Sequence, residues 1–396
     1  MGDIKITAGG SRAIRYRQIH HKYFRSGQHV ALSPSARSSV YYGKPTMILA
    51  AFWLMATAAL SYFIIHKFVL SALFVPDLGN KPVLITGCGG GFGKALVIRC
   101  LRHGMTVFAG CRRAVSVDEL RLECRGLAGT LYAFQMDVAN DESVAAAKAF
   151  VEAKLTQSGC GLFALVNNAG IRGTHMYDDL LTMDDYKSVW ETNTFGCIRV
   201  TRAFKPLLKR ARGRVVICGS SCTLFTIPSY GPYATSKAAV SAYADVIRQA
   251  VDYFKYCQQH ELAPFGVKVI LIVPGSFESG MQDTNRLLRM LQEKWDSCEE
   301  TVRKEYGEHF INRAKTFVVQ FQERGISKDV KWVEDTYFHA VAAKYPKPSY
   351  RIGWDTILFF HPYSLLPLQI QIAVMGLILW IVAAPVPAAA RTSPEP

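Results

Sequence analysis

Acidic residues are scarce in this 396-residue chain: 31 Asp and Glu stand against 46 Lys and Arg, a formal net charge of +15. The shortage is sharpest at the start. There Asp3 alone faces eight bases in the first 45 positions (Lys5, Arg12, Arg15, Arg17, Lys22, Arg25, Arg37 and Lys44), so +7 of the excess lies in a basic tail. Only Tyr16, Tyr23 and Phe24 are interleaved with the bases at 12–25, too few for a stacking platform. No nucleic-acid partner is expected, and the tail reads as solubilising or membrane-proximal. Paired cysteines are lacking as well: the ten cysteines include no CxxC and no zinc-ligand spacing, which fits small buried hydrophobes in a reduced protein and calls for no metal. Cys218 and Cys222, four apart, read as packing at a strand end before they read as a redox pair. There is no internal repeat, and a hydrophobic fraction of 50% excludes wholesale disorder.

Charge is absent altogether from Thr46 to Ile65, twenty residues interrupted near their end only by Thr57 and Ser61. As a helix this segment would be about 30 Å long, the thickness of a bilayer core, so a transmembrane anchor is expected over 46–75. The basic tail places the N-terminus on the cytosolic side and the domain after the anchor in the lumen, whereas reduced cysteines favour the opposite, and orientation stays open. A second apolar stretch, 370–384, is short for a span and reads as interfacial, re-entrant or a cover to a substrate pocket.

Between these segments, apolar strands alternate with helices. Strands are expected at 82–86, 105–110, 131–136, 162–166, 214–218 and 267–273. Helices are expected at 92–103, 142–155, 182–210 and 233–258, and a charged helical stretch at 281–345. Strands without a polar face imply a parallel sheet covered on both sides: an α/β, doubly wound, Rossmann-type fold. The domains expected are a basic tail (1–45), the anchor (46–75), a catalytic domain (81–345, core 81–280) and an apolar C-terminal extension (346–396).

The first strand ends in Thr86-Gly87-Cys88-Gly89-Gly90-Gly91-Phe92-Gly93, where glycines let the backbone turn tightly and approach a pyrophosphate at a helix N-terminus. Tyr233 and Lys237 form an i, i+4 pair, the only one among the eighteen tyrosines. A phenol titrates near pH ~10, too high for an efficient base at neutral pH, and a cation on the same helix face favours the phenolate.

The glycine spacing TGxxxGxG, followed in order by Asp137, Asn167-Asn168-Ala169-Gly170, Asn193, Ser220-Ser221, Tyr233-Ala-Thr-Ser-Lys237 and Pro274-Gly275, resembles the short-chain dehydrogenase/reductase family over residues 81–280. The resemblance implies NAD(P)-dependent hydride transfer at CH–OH groups. It makes Tyr233 the acid/base, with Lys237 lowering its pKa and holding the nicotinamide ribose. Ser221, twelve residues before Tyr233, would donate to the reacting oxygen, with Ser220 at thirteen as the other choice. Asn193 would bind a relay water. The implied cofactor contacts are Thr86, Gly87, Gly91, Phe92, Gly93, Arg112, Asp137, Asn167, Ala169, Gly170, Tyr233, Lys237, Pro274, Gly275 and Ser279. Cys111-Arg112-Arg113 offers no acid where NAD enzymes bind the ribose hydroxyl, so NADP(H) is favoured, with NAD(H) as the alternative. The sequence departs from the family at Ser279, where Thr is usual, and at Gly219, where a β-branched residue or Asn is commoner.

The phrases HGMTVFAGC (103–111), ALVNNAG (164–170), VRKEYGEHF (302–310) and RIGWD (351–355) resemble the branch holding retinol, hydroxysteroid and 3-hydroxybutyrate dehydrogenases. A lipophilic alcohol or ketone, steroid or retinoid, is expected as substrate, at an endoplasmic reticulum membrane or, alternatively, a mitochondrial one. A small hydroxy acid is the alternative substrate, and a non-catalytic dinucleotide-binding scaffold the alternative class. A homo-oligomer is left open.

Overall fold

The computed structural model describes residues 43–65, 70–248, 262–278, 283–324 and 326–390. The chain divides into two units, one ending at Lys67 and one beginning at Phe68. The first contains helix α1 (Gly43–Ile64), whose large apolar side chains, Phe52, Trp53 and Leu54 among them, are exposed. Among the described residues no helix is long and apolar enough to cross a membrane. Of the transmembrane anchor expected over 46–75, the structure therefore bears out an apolar helix but not a span. Most of the basic tail, residues 1–42, lies outside the described residues.

The second unit is built on seven strands: β1 (Val83–Thr86), β2 (Thr106–Cys111), β3 (Thr130–Gln135), β4 (Ala164–Asn167), β5 (Arg214–Cys218), β6 (Lys268–Pro274) and β7 (Ser349–Ile352). All pairs are parallel, in the order β3-β2-β1-β4-β5-β6-β7. The helices between them are α2 (Gly91–Arg102), α3 (Ala114–Glu123), α4 (Asp141–Ser158), α5 (Met183–Trp190), α6 (Gly196–Ala211) and α7 (Gly231–Arg248). After β6 come α8 (Thr284–Asp296), α9 (Glu300–Tyr306), α10 (Phe310–Arg324) and α11 (Val330–Ala342); after β7 come α12 (His361–Ser364) and α13 (Leu368–Ile381).

β1, β4 and β5 are buried at every residue because alternate side chains feed two cores. Val83, Ile85, Val166 and Val216 meet α2 and α11 on one face, while Leu84, Leu165, Val215 and Ile217 meet α4, α6 and α7 on the other. Each such fully buried branched side chain contributes about 1.5–3 kcal/mol. A third, smaller core joins Met176 and Leu180 to Leu291 and Trp295 of α8 and to Phe310 of α10.

The six strands read from the sequence are β1 to β6. The helix expected over 182–210 is broken by a π-helical turn, Glu191–Phe195, and α3 was not foreseen. β7 lies in the stretch expected to be an apolar extension from 346 onward, yet it is the edge strand of the catalytic sheet. The helix expected over 233–258 is described as far as Arg248.

Candidate active site

The order of the sheet reverses direction at β1, between β2 and β4. In an open parallel sheet the crevice outside the strand carboxyl ends at such a switch point takes the ligand. Here β1 runs into the glycine turn and β4 into Asn167-Asn168-Ala169-Gly170. Gly87 and Gly91 have positive φ (71° and 54°), and a Cβ on Gly87 would lie 2.7 Å from the Ala169 Cα. A Cβ on Gly93 would lie 2.5 Å from Asn168 Nδ2, so the start of α2 can approach β4 only as glycine. The loop is tied down by Thr86, whose hydroxyl accepts from the Asn168 and Ala169 N–H groups at 3.1 and 3.0 Å. Asn168 Nδ2 donates to the Thr86 carbonyl at 3.0 Å.

The cleft beyond these loops, about 900 Å³, brings together Phe92, Gly170, Ser220, Ser221, Tyr233, Lys237, Pro274 and Gly275. Lys237 is 3% exposed and donates to the Cys218 carbonyl at 2.7 Å; its Nζ is 5.9 Å from the Tyr233 ring centroid. Enclosure pushes the Tyr233 phenol above its ordinary pKa, and the Lys237 charge and a hydrogen bond with the Ser220 hydroxyl pull it back down. Burial works against the Lys237 ammonium, but Cys218, Tyr233 and Cys222 hold its pKa above the usual value.

Ser220 and Ser221 both line the cleft with Tyr233, and the Ser220 hydroxyl accepts from the Cys222 N–H at 3.3 Å. Ser220 continues β5 in extended conformation (φ −164°, ψ 152°), whereas Ser221 opens a 3-10 turn. Asn193 lies behind the cleft in the π-helical turn. Its Oδ1 accepts from Ile171 N–H at 2.8 Å, and its Nδ2 donates to the Ile171 carbonyl at 2.9 Å and to Ser236 Oγ at 3.0 Å. The side chain expected to bind a relay water is engaged in fixing the loop after Gly170.

Among the other expected contacts, Asn167 turns away to Thr201 of α6 (2.8 Å), and Asn168 lines the cleft in its place. Asp137 follows β3, its carboxylate accepting from the Ala139 N–H at 2.9 Å. Arg112 and Arg113 are exposed at the end of β2. Ser279 lies outside the described residues. Cys218 and Cys222 are both buried free thiols, and burial pushes Cys222 up to about 11.

Two residues were missed. Asp355, in the RIGWD phrase, accepts from the Ser276 N–H at 2.8 Å and the Thr356 N–H at 2.7 Å. Its carboxylate fills the space a Cβ on Gly275 would need, which explains a glycine in that turn. Tyr337, fully buried in α11, stands between Phe92 (centroids 6.4 Å apart) and Asn168 Oδ1 (3.4 Å). The RIGWD phrase was the only sequence signal for the first, and the second had none.

These residues fit a dinucleotide. A Cβ on Gly90 would meet nothing within 4 Å, leaving the mouth of the turn open, and α2 presents its N-terminus there. The buried Lys237 ammonium has three donors and only one hydrogen bond among the described residues.

Residues 81–287 match the family model for short chain dehydrogenase. The chain belongs to the short-chain dehydrogenase family. A 3beta-hydroxysteroid dehydrogenase, dhs-16, of Caenorhabditis elegans is 34% identical over 331 residues, covering 82% of this chain and 81% of that one. Retinol dehydrogenase 16 of Homo sapiens is 33% identical, covering 82% and 95%. The 17-beta-hydroxysteroid dehydrogenase type 6 of Rattus norvegicus is 32% identical, covering 80% and 93%. A solved short-chain dehydrogenase from Streptomyces avermitilis shares the fold at 21% identity, with a TM-score of 0.55 over 76% of this chain and 97% of that one. As a short-chain dehydrogenase of the retinol and hydroxysteroid branch, the protein is an oxidoreductase acting on alcohols with a nicotinamide cofactor.

Proposed function

We propose that the protein is a membrane-attached, NADP(H)-preferring dehydrogenase of a lipophilic alcohol, steroid- or retinoid-like, with Tyr233 as its acid/base. The observation that carries this reading is the meeting of Tyr233, Lys237 and Ser220 in one cleft whose far wall is aromatic, with Phe225, Phe321 and Phe360. The named activities of the relatives support the substrate class.

The bound nicotinamide would supply the hydride chemistry at the carbinol carbon. Tyr233 Oη takes the alcohol proton in oxidation and returns it in reduction. Lys237 stabilises the phenolate by charge, and its spare donors suit the ribose hydroxyls. Ser221, with Ser220 as the other choice, donates to the reacting oxygen as charge develops on it. Asn193 acts at one remove, fixing Ile171 against α7. The glycine turn and α2 hold the pyrophosphate, and Asp355 braces the turn after β6. Arg112, exposed at the end of β2 without a neighbouring acid there, suits the 2′-phosphate of NADP.

Attachment to a membrane, with the endoplasmic reticulum as the site, is inferred from two apolar helices. In α13, Leu368, Ile372, Leu377, Trp380 and Ile381 are all exposed, and none of its residues is buried. Such a surface is costly in water and stable at a bilayer interface.

Tyr233→Phe tests the mechanism: turnover is expected to fall about 10²- to 10⁴-fold while the cofactor dissociation constant, read by fluorescence titration, stays within about twofold. Undiminished turnover would remove Tyr233 from the chemistry.

A further inference from the structure

A second, small cavity of about 40 Å³ adjoins the catalytic cleft, and its wall is largely apolar, with Leu287, Leu291, Phe317 and Val318 from α8 and α10. Arg172, Ile227 and Tyr230 line both spaces. Against this apolar wall stand two buried nitrogens that no protein atom satisfies among the described residues: Arg172 Nη1 and His175 Nε2. The other end of the guanidinium, Nη2, donates to Tyr230 Oη at 2.9 Å. The His175 ring lies against the Tyr230 ring, with centroids 4.1 Å apart, and is only 9% exposed.

An unsatisfied buried donor costs about 1–3 kcal/mol, more for a charged group. Among the described residues the part-buried Arg172 has no carboxylate partner, and its guanidinium lies 5.8 Å from the Tyr230 ring centroid. Tyr230, the one bonded partner, is a phenol that burial keeps neutral, so it supplies no counter-charge. Arg172 offers donors and no acceptor, and a planar fork matches a carboxylate. The geometry points to a substrate whose carboxylate, held by Arg172 with His175 beside it, enters this chamber while its alcohol lies at Tyr233. The substrate is then a lipophilic hydroxy acid, or the corresponding oxo acid, its apolar body lying along Phe225, Phe321 and Phe360. The inference rests on the dehydrogenase reading above and narrows its substrate class.

The test uses the full chain in detergent with saturating cofactor. Three probes are compared: a 3-hydroxysteroid bearing a side-chain carboxylate, its methyl ester, and 3-hydroxybutyrate. The acid is expected to exceed the ester in kcat/KM by at least about 30-fold, mostly through KM, the scale of losing one partner of a buried charge pair. Arg172→Met is expected to collapse that ratio toward one, and Arg172→Lys to restore part of it. His175→Phe, which keeps the ring contact, is expected to lower the ratio by a smaller factor. Should Arg172→Met fail to fold, the Arg172→Lys ratio and the stabilisation of the unaltered protein by acid against ester, read by thermal unfolding, carry the decision. An acid-to-ester ratio near one in the unaltered protein, an unchanged ratio in the variants, or a preference for 3-hydroxybutyrate overturns the inference while leaving the dehydrogenase reading intact. The proposed role of Tyr233 fails separately, if Tyr233→Phe keeps its turnover.

Discussion

Tyr233 and Lys237 are bound to one another by chemistry before any fold is known: a phenol that must ionise needs a cation, and four residues along a helix supplies one. The structure adds that the phenol's surroundings pull the other way, since enclosure raises its pKa and the lysine offsets that. Alcohol oxidation needs the phenolate and should therefore rise with pH as Tyr233 deprotonates. Removing the cation in Lys237→Met leaves burial unopposed, so the rising limb of the kcat/KM profile for oxidation should move to more alkaline pH, with a loss of about 10²-fold or more at pH 7. At Arg112 the argument concerns charge at the cofactor: Arg112→Ala should raise KM for NADPH by roughly tenfold and change KM for NADH little, measured by initial rates with each. Spacing favours Ser221 over Ser220; in the structure Ser220, two residues past β5, caps the 3-10 turn that Ser221 opens, and both line the cleft.

At the level of elements, the buried strands were legible because a parallel sheet covered on both faces writes itself as continuous apolar runs, as in Val83–Thr86 and Arg214–Cys218. β7 was not legible, for Ser349-Tyr350-Arg351-Ile352 is short, carries an exposed arginine and sits among prolines and charges. The break in the helix at Glu191–Phe195 was equally hidden, because a π-helical turn changes the hydrogen-bond partner without demanding a breaker residue. Asp355 joins two elements distant in sequence: it binds the backbone just after β6 and caps the helical turn after β7. Asp355→Ala should lose about 1–2 kcal/mol of stability, read by denaturant unfolding. It should also weaken cofactor binding several-fold, because the Pro274-Gly275 turn loses its brace. Gly275→Ala should do the same by collision with the carboxylate, and pairing it with Asp355→Ala should recover part of the loss.

For the whole molecule, the sequence predicts an apolar segment on either side of the catalytic domain, and the exposed residues of α13 give the second of them a surface. If both appendages attach, removing residues 1–67 should leave the remaining chain bound to phosphatidylcholine vesicles, and adding Ile372→Lys and Trp380→Lys should weaken co-sedimentation by roughly tenfold or more. Retention of the doubly substituted, truncated chain on vesicles would place the contact elsewhere. The apolar chamber was out of reach of the sequence, because its walls come from Arg172, Tyr230, Leu287 and Phe317, positions scattered from 172 to 317 that only packing brings together. The same long reach sets an order of events during synthesis. Gly275 is made early, but its brace Asp355 and the edge strand β7 emerge about 80 residues later, after four helices. A nascent chain can therefore close the glycine turn around β1 while still on the ribosome, yet it cannot complete the nicotinamide side of the cleft until nearly the whole polypeptide is out. The half-built sheet would meanwhile expose β6 as an unpaired, strongly apolar edge, which makes the interval before β7 docks the stage at which this protein most needs a chaperone.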